Sequence, residues 1–260
     1  MTDTAGLLAG YDEQMRGAPP NLPAGVTVER HGPPVRLVGQ FRGLVTGPAV
    51  LGVAGPELDA LIRRQRERFA ARGEAVEWKV RGHDRPVELP ERLVAAGFVA
   101  EEQETVMIGE AGAMAAEPRL PAGVSLHRTT AEADLRRIAA LLTAVWDTDM
   151  SWLADDLLGR IAAAPDDIAV LLARAGDQVV SAAWLVYRPG TSFAGLWGGS
   201  TVEAWRGRGI YRALVAARAR LAAARGTRWL QVDASADSAP ILRRLGFEPV
   251  TTTTPYVWTP

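Results

Sequence analysis

The sequence predicts an α/β protein built from two related units, and three observations predict it. Helical periodicities alternate with short β-branched runs along the chain. A helix set between neighbouring strands implies a layered fold with parallel pairing. A strand, a helix and a Gly-Phe pair recur near the end of each half. They run over residues 76–80 and Leu93-Val94-Ala95-Ala96-Gly97-Phe98 first, then over residues 229–232 and Leu242-Arg243-Arg244-Leu245-Gly246-Phe247. Duplication and independent use of a glycine helix stop both explain that match. The 260 residues, 48% hydrophobic and 23% charged, suffice for one large or two small cores.

Residues 4–15 have helical character, and Pro19-Pro20-Asn21-Leu22-Pro23 breaks the chain. Short β-like runs follow at 26–30, 35–38, 41–46 and 49–53, separated by Gly32-Pro33-Pro34 and Gly47-Pro48. Pro56 opens a charged helix reaching about Arg72, with Leu58, Leu61, Ile62 and Phe69 on one face, and Gly73 stops it. A strand (75–80), a helix (86–96) and a β-like tail (98–108) complete residues 1–110. Residues 111–123, poor in large apolar side chains and carrying Gly112, Pro118, Pro121 and Gly123, read as a linker. Residues 124–260 form the second unit. Its order is a strand (124–128), helices at 131–146 and 152–163, strands at 169–173, 179–187 and 193–201, a glycine turn, a helix (211–224), a strand (228–233), a short helix (239–245) and a terminal hairpin-like run (247–258).

Composition excludes several chemistries. Cysteine is absent, which removes disulfides, thiolate nucleophiles and Cys-ligated metals. His31, His83 and His127 are too scattered to have metal-ligand spacing. A net charge of −1 gives no general attraction to nucleic acid or anionic membrane. No run approaches the roughly 20 apolar residues of a membrane span. Met1-Thr2-Asp3-Thr4 lacks the basic and apolar regions of a secretory signal, so a cytoplasmic protein is expected. Lys79 is the single lysine among 29 basic residues, and with the abundant Ala and Gly this resembles coding in a GC-rich bacterium.

The informative stretch runs from Gly198 to Val215, where a strand ends, a turn containing Arg206-Gly207-Arg208-Gly209 follows and a helix begins. Backbone N–H groups at a helix start lack intrahelical partners and carry partial positive charge. Glycine lets a phosphate approach them closely, and two arginines add charge, so the turn reads as a pyrophosphate cradle. No Gly-Lys-Ser/Thr follows, so it is not a P-loop. A simple connection between strand and helix is the plainer reading of such a turn.

Arg206-Gly207-Arg208-Gly209-Ile210-Tyr211 resembles the Arg/Gln-x-x-Gly-x-Gly/Ala signature of the GCN5-related N-acetyltransferases (GNATs). Residues 235–247 resemble that family's second motif, which closes on Gly-Phe, and the likeness spans about residues 124–258. It implies a mixed central sheet with helices on both faces, and acetyl-CoA lying where the fourth and fifth strands part. The first unit, lacking the turn, resembles a degenerate copy that does not bind CoA. By resemblance the main chain of Gly199, Ser200 and Thr201 would hold the pantetheine arm. Arg206, Gly207, Arg208, Gly209, Ile210, Tyr211 and Arg212 would hold the pyrophosphate, with Ser235 and Ser238 bordering the cofactor. The resemblance implies direct attack by a primary amine of a small molecule or peptide on the thioester, with no metal, in a monomer or homodimer.

Two positions depart from the family pattern. Tyr211 stands at the last small-residue position, where it is expected to point away from the phosphate. Leu242 stands where the family's tyrosine acid falls, and leucine donates no proton. Tyr211, Ser238, Tyr256 and Asp233 are candidates to replace it, and Glu203 is a candidate base or a solvated turn residue. By resemblance Trp146, Asp147 and Asp149 wall the acceptor pocket, where carboxylates between tryptophans suit a cation. Helix capping is the other reading of Asp149. Trp197 approaches the same site. A CoA-binding sensor without turnover, and an interaction module without a CoA site, remain as competing readings.

Overall fold

The computed structural model describes residues 3–260. Helix α1 (Thr4–Met15) precedes β1 (Thr27–Arg30), β2 (Val35–Val38), β3 (Gly43–Thr46), α2 (Gly55–Ala70), β4 (Val76–Arg81), α3 (Leu89–Ala95), β5 (Val99–Ala100) and β6 (Glu104–Glu110). A one-turn helix, α4 (Ala111–Met114), leads to β7 (Val124–Thr129), α5 (Glu132–Trp146), α6 (Leu153–Ala163), β8 (Ile168–Ala175), β9 (Gln178–Tyr187) and β10 (Phe193–Thr201). The chain ends with α7 (Ile210–Ala224), β11 (Trp229–Ala234), α8 (Ala239–Arg244) and β12 (Glu248–Trp258).

The strands form one mixed sheet in the order β1-β2-β3-β4-β12-β6-β11-β10-β9-β8-β7, with β5 beside β12. β3 pairs with β4 in parallel, and β10 with β11, while the other strand pairs are antiparallel. The halves exchange their closing strands: β6 lies along β11, and β12 lies between β4 and β6. Alternation sorts the side chains between two faces. Met107 packs with Leu214 and Phe247 under α7 and α8, whereas Val106 and Ile108 pack with Leu7 and Tyr11 of α1. Helices α2, α3, α4, α7 and α8 therefore cover one face, and α1, α5 and α6 cover the other.

The helices form where the periodicity places them. Leu58, Leu61, Ile62, Gln65 and Phe69 make one buried stripe along α2, and Leu135, Ile138, Ala139 and Leu142 make another along α5. The recurring Gly-Phe pairs end α3 and α8 in the same way. Gly97 (φ +89°) and Gly246 (φ +96°) adopt the left-handed conformation. Phe98 N–H reaches the Leu93 carbonyl at 3.0 Å, and Phe247 N–H reaches that of Leu242 at 3.1 Å. Each bond closes a Schellman turn, and both phenylalanines are buried in their half's core.

Two sequence expectations need correction. Residues 49–53 form no strand; Val50 makes only a single bridge to Arg85. The terminal run is not a hairpin but one long strand, bulged between Pro249 and Thr251, which crosses into the other half of the sheet. Its β-branched residues suit either arrangement, so only the partner strands decide between them. The stretch after Glu110 begins with a helical turn whose Ala111 and Met114 are buried against the core under α7.

Candidate active site

β10 and β11 pair only at Phe193↔Trp229, Ala194↔Leu230 and Gly195↔Gln231, and beyond these they part. On its other edge β10 carries a bulge: Trp197 pairs with Trp184 and Ser200 with Ala182, so Gly198 and Gly199 together face Ala183. Gly198 has φ +63°, and a Cβ there would stand 1.8 Å from the Trp184 ring. A Cβ on Gly199 would stand 2.7 Å from the Tyr211 ring on the opposite face. Arg218 of α7, buried to 1% exposure, donates to the carbonyls of Trp184 and Trp197 at 3.3 Å each and of Leu214 at 3.1 Å. Its guanidinium thus clamps two carbonyls at the bulge. Burial lowers its pKa to about 10, against the opposing influence of Tyr211.

The turn from β10 to α7 contains a short 3₁₀ segment (Glu203–Trp205) and then Gly207 (φ +73°) and Gly209 (φ +83°), the helix N-cap. Six consecutive N–H groups, those of residues 207–212, meet no acceptor among the described residues. Ile210 is buried and anchors the helix start, while Gly207, Arg208 and Arg212 are exposed. Arg206 donates to the Thr201 carbonyl at 3.1 Å, and the Arg208 guanidinium lies 4.7 Å above the Trp205 ring. A glycine-lined row of free donors with arginines in the same turn can bind a diphosphate.

The face opposite α7 has a different lining. Trp146 and Trp197 are 53% and 48% exposed. Trp146 Nε1 donates to Ser200 Oγ at 2.9 Å, which ties the end of α5 to the bulged strand. Ser181 Oγ donates to the Ser200 carbonyl at 2.6 Å. Phe41, from the β2–β3 turn, stacks on Trp152 at 4.6 Å, so the N-terminal half reaches the α5–α6 loop. Lys79 of β4 is ion-paired with Asp233 of β11, and Gln231 donates to Asp233 at 2.7 Å. Burial disfavours the Lys79 charge, but Asp233, Glu77 and Tyr11 outweigh it and raise the pKa above its ordinary value. Glu104 of β6 has its pKa pushed up to about 7 by burial first and by Asp233 next, with Lys79 opposing.

The structure brings some of the sequence-predicted residues together and leaves others apart. Gly199, Ser200, Thr201, Arg206, Gly207, Arg208, Gly209, Ile210, Tyr211 and Arg212 gather at the bulge and the helix start. Ser235 and Ser238, whose hydroxyls are 3.2 Å apart, mark the entry to α8 after β11. Trp146 and Trp197 lie on the opposite face. Glu203 is exposed in the turn, and Asp147 is exposed at the left-handed end of α5. Asp149 accepts from the Ser151 N–H at 2.9 Å, which lowers its pKa. Tyr256 does not join them: it pairs with Trp78 and packs on the core under α2 and α3. Leu242 is fully buried. Glu104 and Lys79 were not predicted for this site, because only the strand exchange brings the N-terminal half to it.

The counterpart opening in the N-terminal half is filled. β3 and β4 also part, after Val45↔Trp78. Arg16, 3% exposed at the end of α1, donates to the Gly47 carbonyl at 2.7 Å and to Asp84 at 2.6 Å. Arg81 donates to Thr46 at 2.9 Å and to Tyr11 at 3.2 Å. The Val50–Arg85 bridge then joins the two segments again, with Leu51 N–H to the Arg85 carbonyl at 2.9 Å. At the start of α2, Pro56 lacks an N–H and Glu57 adds negative charge. A shallow, open pocket of about 340 Å³ lies there, lined in part by Val53, Glu57 and Arg85. Among the described residues, no group of three His, Asp or Glu could hold a metal ion, and no helix is long and apolar enough to cross a membrane.

No family model and no curated protein matches the sequence. Solved structures do match the fold. A GCN5-related N-acetyltransferase from Kribbella flavida superposes with a TM-score of 0.70 at 19% identity, covering 99% of this chain and 96% of its own. A tandem GNAT protein from the clavulanic acid biosynthesis pathway gives 0.62 at 16% identity, covering 98% and 94%. A GCN5-related N-acetyltransferase from Sphaerobacter thermophilus gives 0.60 at 16% identity, covering 98% and 91%. Along nearly its whole length, this chain has the fold of the GCN5-related N-acetyltransferases, in a form shared with a tandem member.

Proposed function

We propose that this protein is an acetyl-CoA-dependent N-acyltransferase that acts on a primary amine, with its cofactor site in residues 124–260. The observation that carries this reading is the row of six unpartnered N–H groups beside the parted strands β10 and β11. The diphosphate of acetyl-CoA binds that row, and the pantetheine arm follows the bulged strand to the opening. The thioester is presented there to an amine arriving from the Trp146 and Trp197 face. Residues 1–110 act as a degenerate second unit that supplies part of the acceptor face, with residues 111–123 joining the two units.

Leu242 favours one other reading, a CoA-binding sensor without turnover, because it removes the family's usual proton donor. Tyr211 supports turnover as a candidate proton donor. Its ring lies against Gly199, and burial raises its pKa against the opposing influence of Arg218, so its hydroxyl stays protonated and can serve the departing thiolate. Turnover of any amine decides between transferase and sensor.

The cradle has its own test. Gly209→Val places a β-branched residue at φ +83° and disturbs the helix start. Acetyl-CoA affinity in isothermal titration is expected to fall roughly tenfold or more, equivalent to about 1.4 kcal/mol. Unchanged affinity would show that the cofactor binds elsewhere.

A further inference from the structure

Glu104 is the first residue of β6, the strand that the N-terminal half inserts beside β11. It shares a face with Val106, which pairs with Asp233, and it stands directly opposite Thr253 of β12. That face is the one on which Trp197 and Gln231 lie at the mouth of the β10–β11 opening. The charged groups facing Glu104 are Asp233 from β11, Lys79 and Glu77 from β4, and Glu102 from the preceding turn.

Most nearby carboxylates are committed. Asp233 is held by Lys79 and Gln231, Glu77 lies 3.7 Å from Arg42, and Asp12 pairs with His83 and Arg16. Glu104 is partly buried, and its carboxyl makes no hydrogen bond or ion pair among the described residues. An unpaired, partly buried carboxyl opposes folding, and such a group is a functional-site candidate.

We propose that Glu104, contributed across the strand exchange, is the general base that deprotonates the acceptor ammonium. The inference rests on the transferase reading above. An alkylammonium is mostly protonated at neutral pH, since amines of the lysine type titrate near about 10. The Glu104 carboxylate takes one proton from R–NH3+. The freed nitrogen lone pair then forms a bond to the thioester carbon, and the carbon–sulfur bond breaks. The proton lost by the attacking nitrogen goes to the departing sulfur, giving CoA thiol and the amide, and Glu104 returns its own proton to solvent. A base titrating near the working pH suits this task, and burial beside Asp233 places Glu104 there.

The test compares the wild-type protein with Glu104→Gln on acetyl-CoA and a panel of tyramine, tryptamine and putrescine, following thiol release against pH. In the wild type, kcat/KM rises through an inflection near pH 7. Glu104→Gln lowers kcat/KM about 100-fold at pH 7.5 and abolishes the inflection. The two proteins converge as the pH approaches the pKa of the amine itself, where no base is needed, and acetyl-CoA affinity is unchanged. Stability supplies a reading independent of activity. The folded carboxyl holds its proton more tightly than the ordinary value of 4.5, so its contribution to stability is lost as pH rises from about 4.5 through about 7. The variant should therefore melt above the wild type at pH 8, with the gap closing toward pH 4. Wild-type turnover with an unaltered pH profile in Glu104→Gln, or a loss that is constant at every pH, overturns the base assignment alone. No turnover by the wild type on any of the amines overturns the transferase reading, and the base assignment falls with it.

Discussion

Gly198→Ala is expected to destabilise the protein by about 3 kcal/mol and to weaken acetyl-CoA binding together with it. Two costs add. A non-glycine residue at φ +63° carries about 1–2 kcal/mol of steric strain. The new methyl falls 1.8 Å from the Trp184 ring, which is 8% exposed in the core under α5 and α6, and overpacking such a site costs about 1–3 kcal/mol. The backbone can escape only by flattening the bulge, and that shifts Ser200 and Thr201 relative to Ser181 and Trp146. Urea midpoints and titration calorimetry on one preparation measure both effects. A variant of unchanged midpoint would mean that the bulge does not require glycine.

Arg16→Met should cost about 3–5 kcal/mol, the usual penalty for removing one partner of a buried ion pair. The side chains of Arg16 and Asp84 are 4% and 7% exposed, and the substitution leaves Asp84 with only the Arg81 N–H at 2.9 Å. The Gly47 carbonyl also loses its donor. The effect should appear as a lower urea midpoint with acetyl-CoA affinity unchanged, because Arg16 fills the N-terminal opening and not the opening beside α7. A midpoint within about 0.5 kcal/mol of wild type would mean that solvent already shares this site.

The contrast between the two openings shows how far the sequence alone reaches. The Arg206–Tyr211 turn is legible because its glycines and arginines are contiguous and the free amides are a local property of a helix start. The paired Gly-Phe stops are legible for the same reason: Gly97 and Gly246 end helices by short-range hydrogen bonds. Glu104 and Lys79 are different. They sit in strands of ordinary alternation, and nothing local tells that β6 joins β11 or that β12 crosses to β4. Tyr256 failed to reach the site for that reason, since its strand feeds the other half's core. The plug formed by Arg16, Arg81, Asp84 and Tyr11 joins positions about seventy apart in the chain, with no pattern to link them beforehand. The lack of an Arg-x-x-Gly-x-Gly signature before α2 is legible in the sequence, where Gly52 precedes the helix and Gly55 opens it, and the side chains bridging that opening give the lack a structural counterpart.

The central claim is that a single diphosphate cradle, at residues 207–212, serves the whole chain. Titration calorimetry of the full-length protein with acetyl-CoA tests it most directly. The account predicts one equivalent bound per chain, with affinity reduced in Gly209→Val and unaltered in Arg16→Met. Two equivalents, no binding, or binding indifferent to Gly209→Val would contradict it.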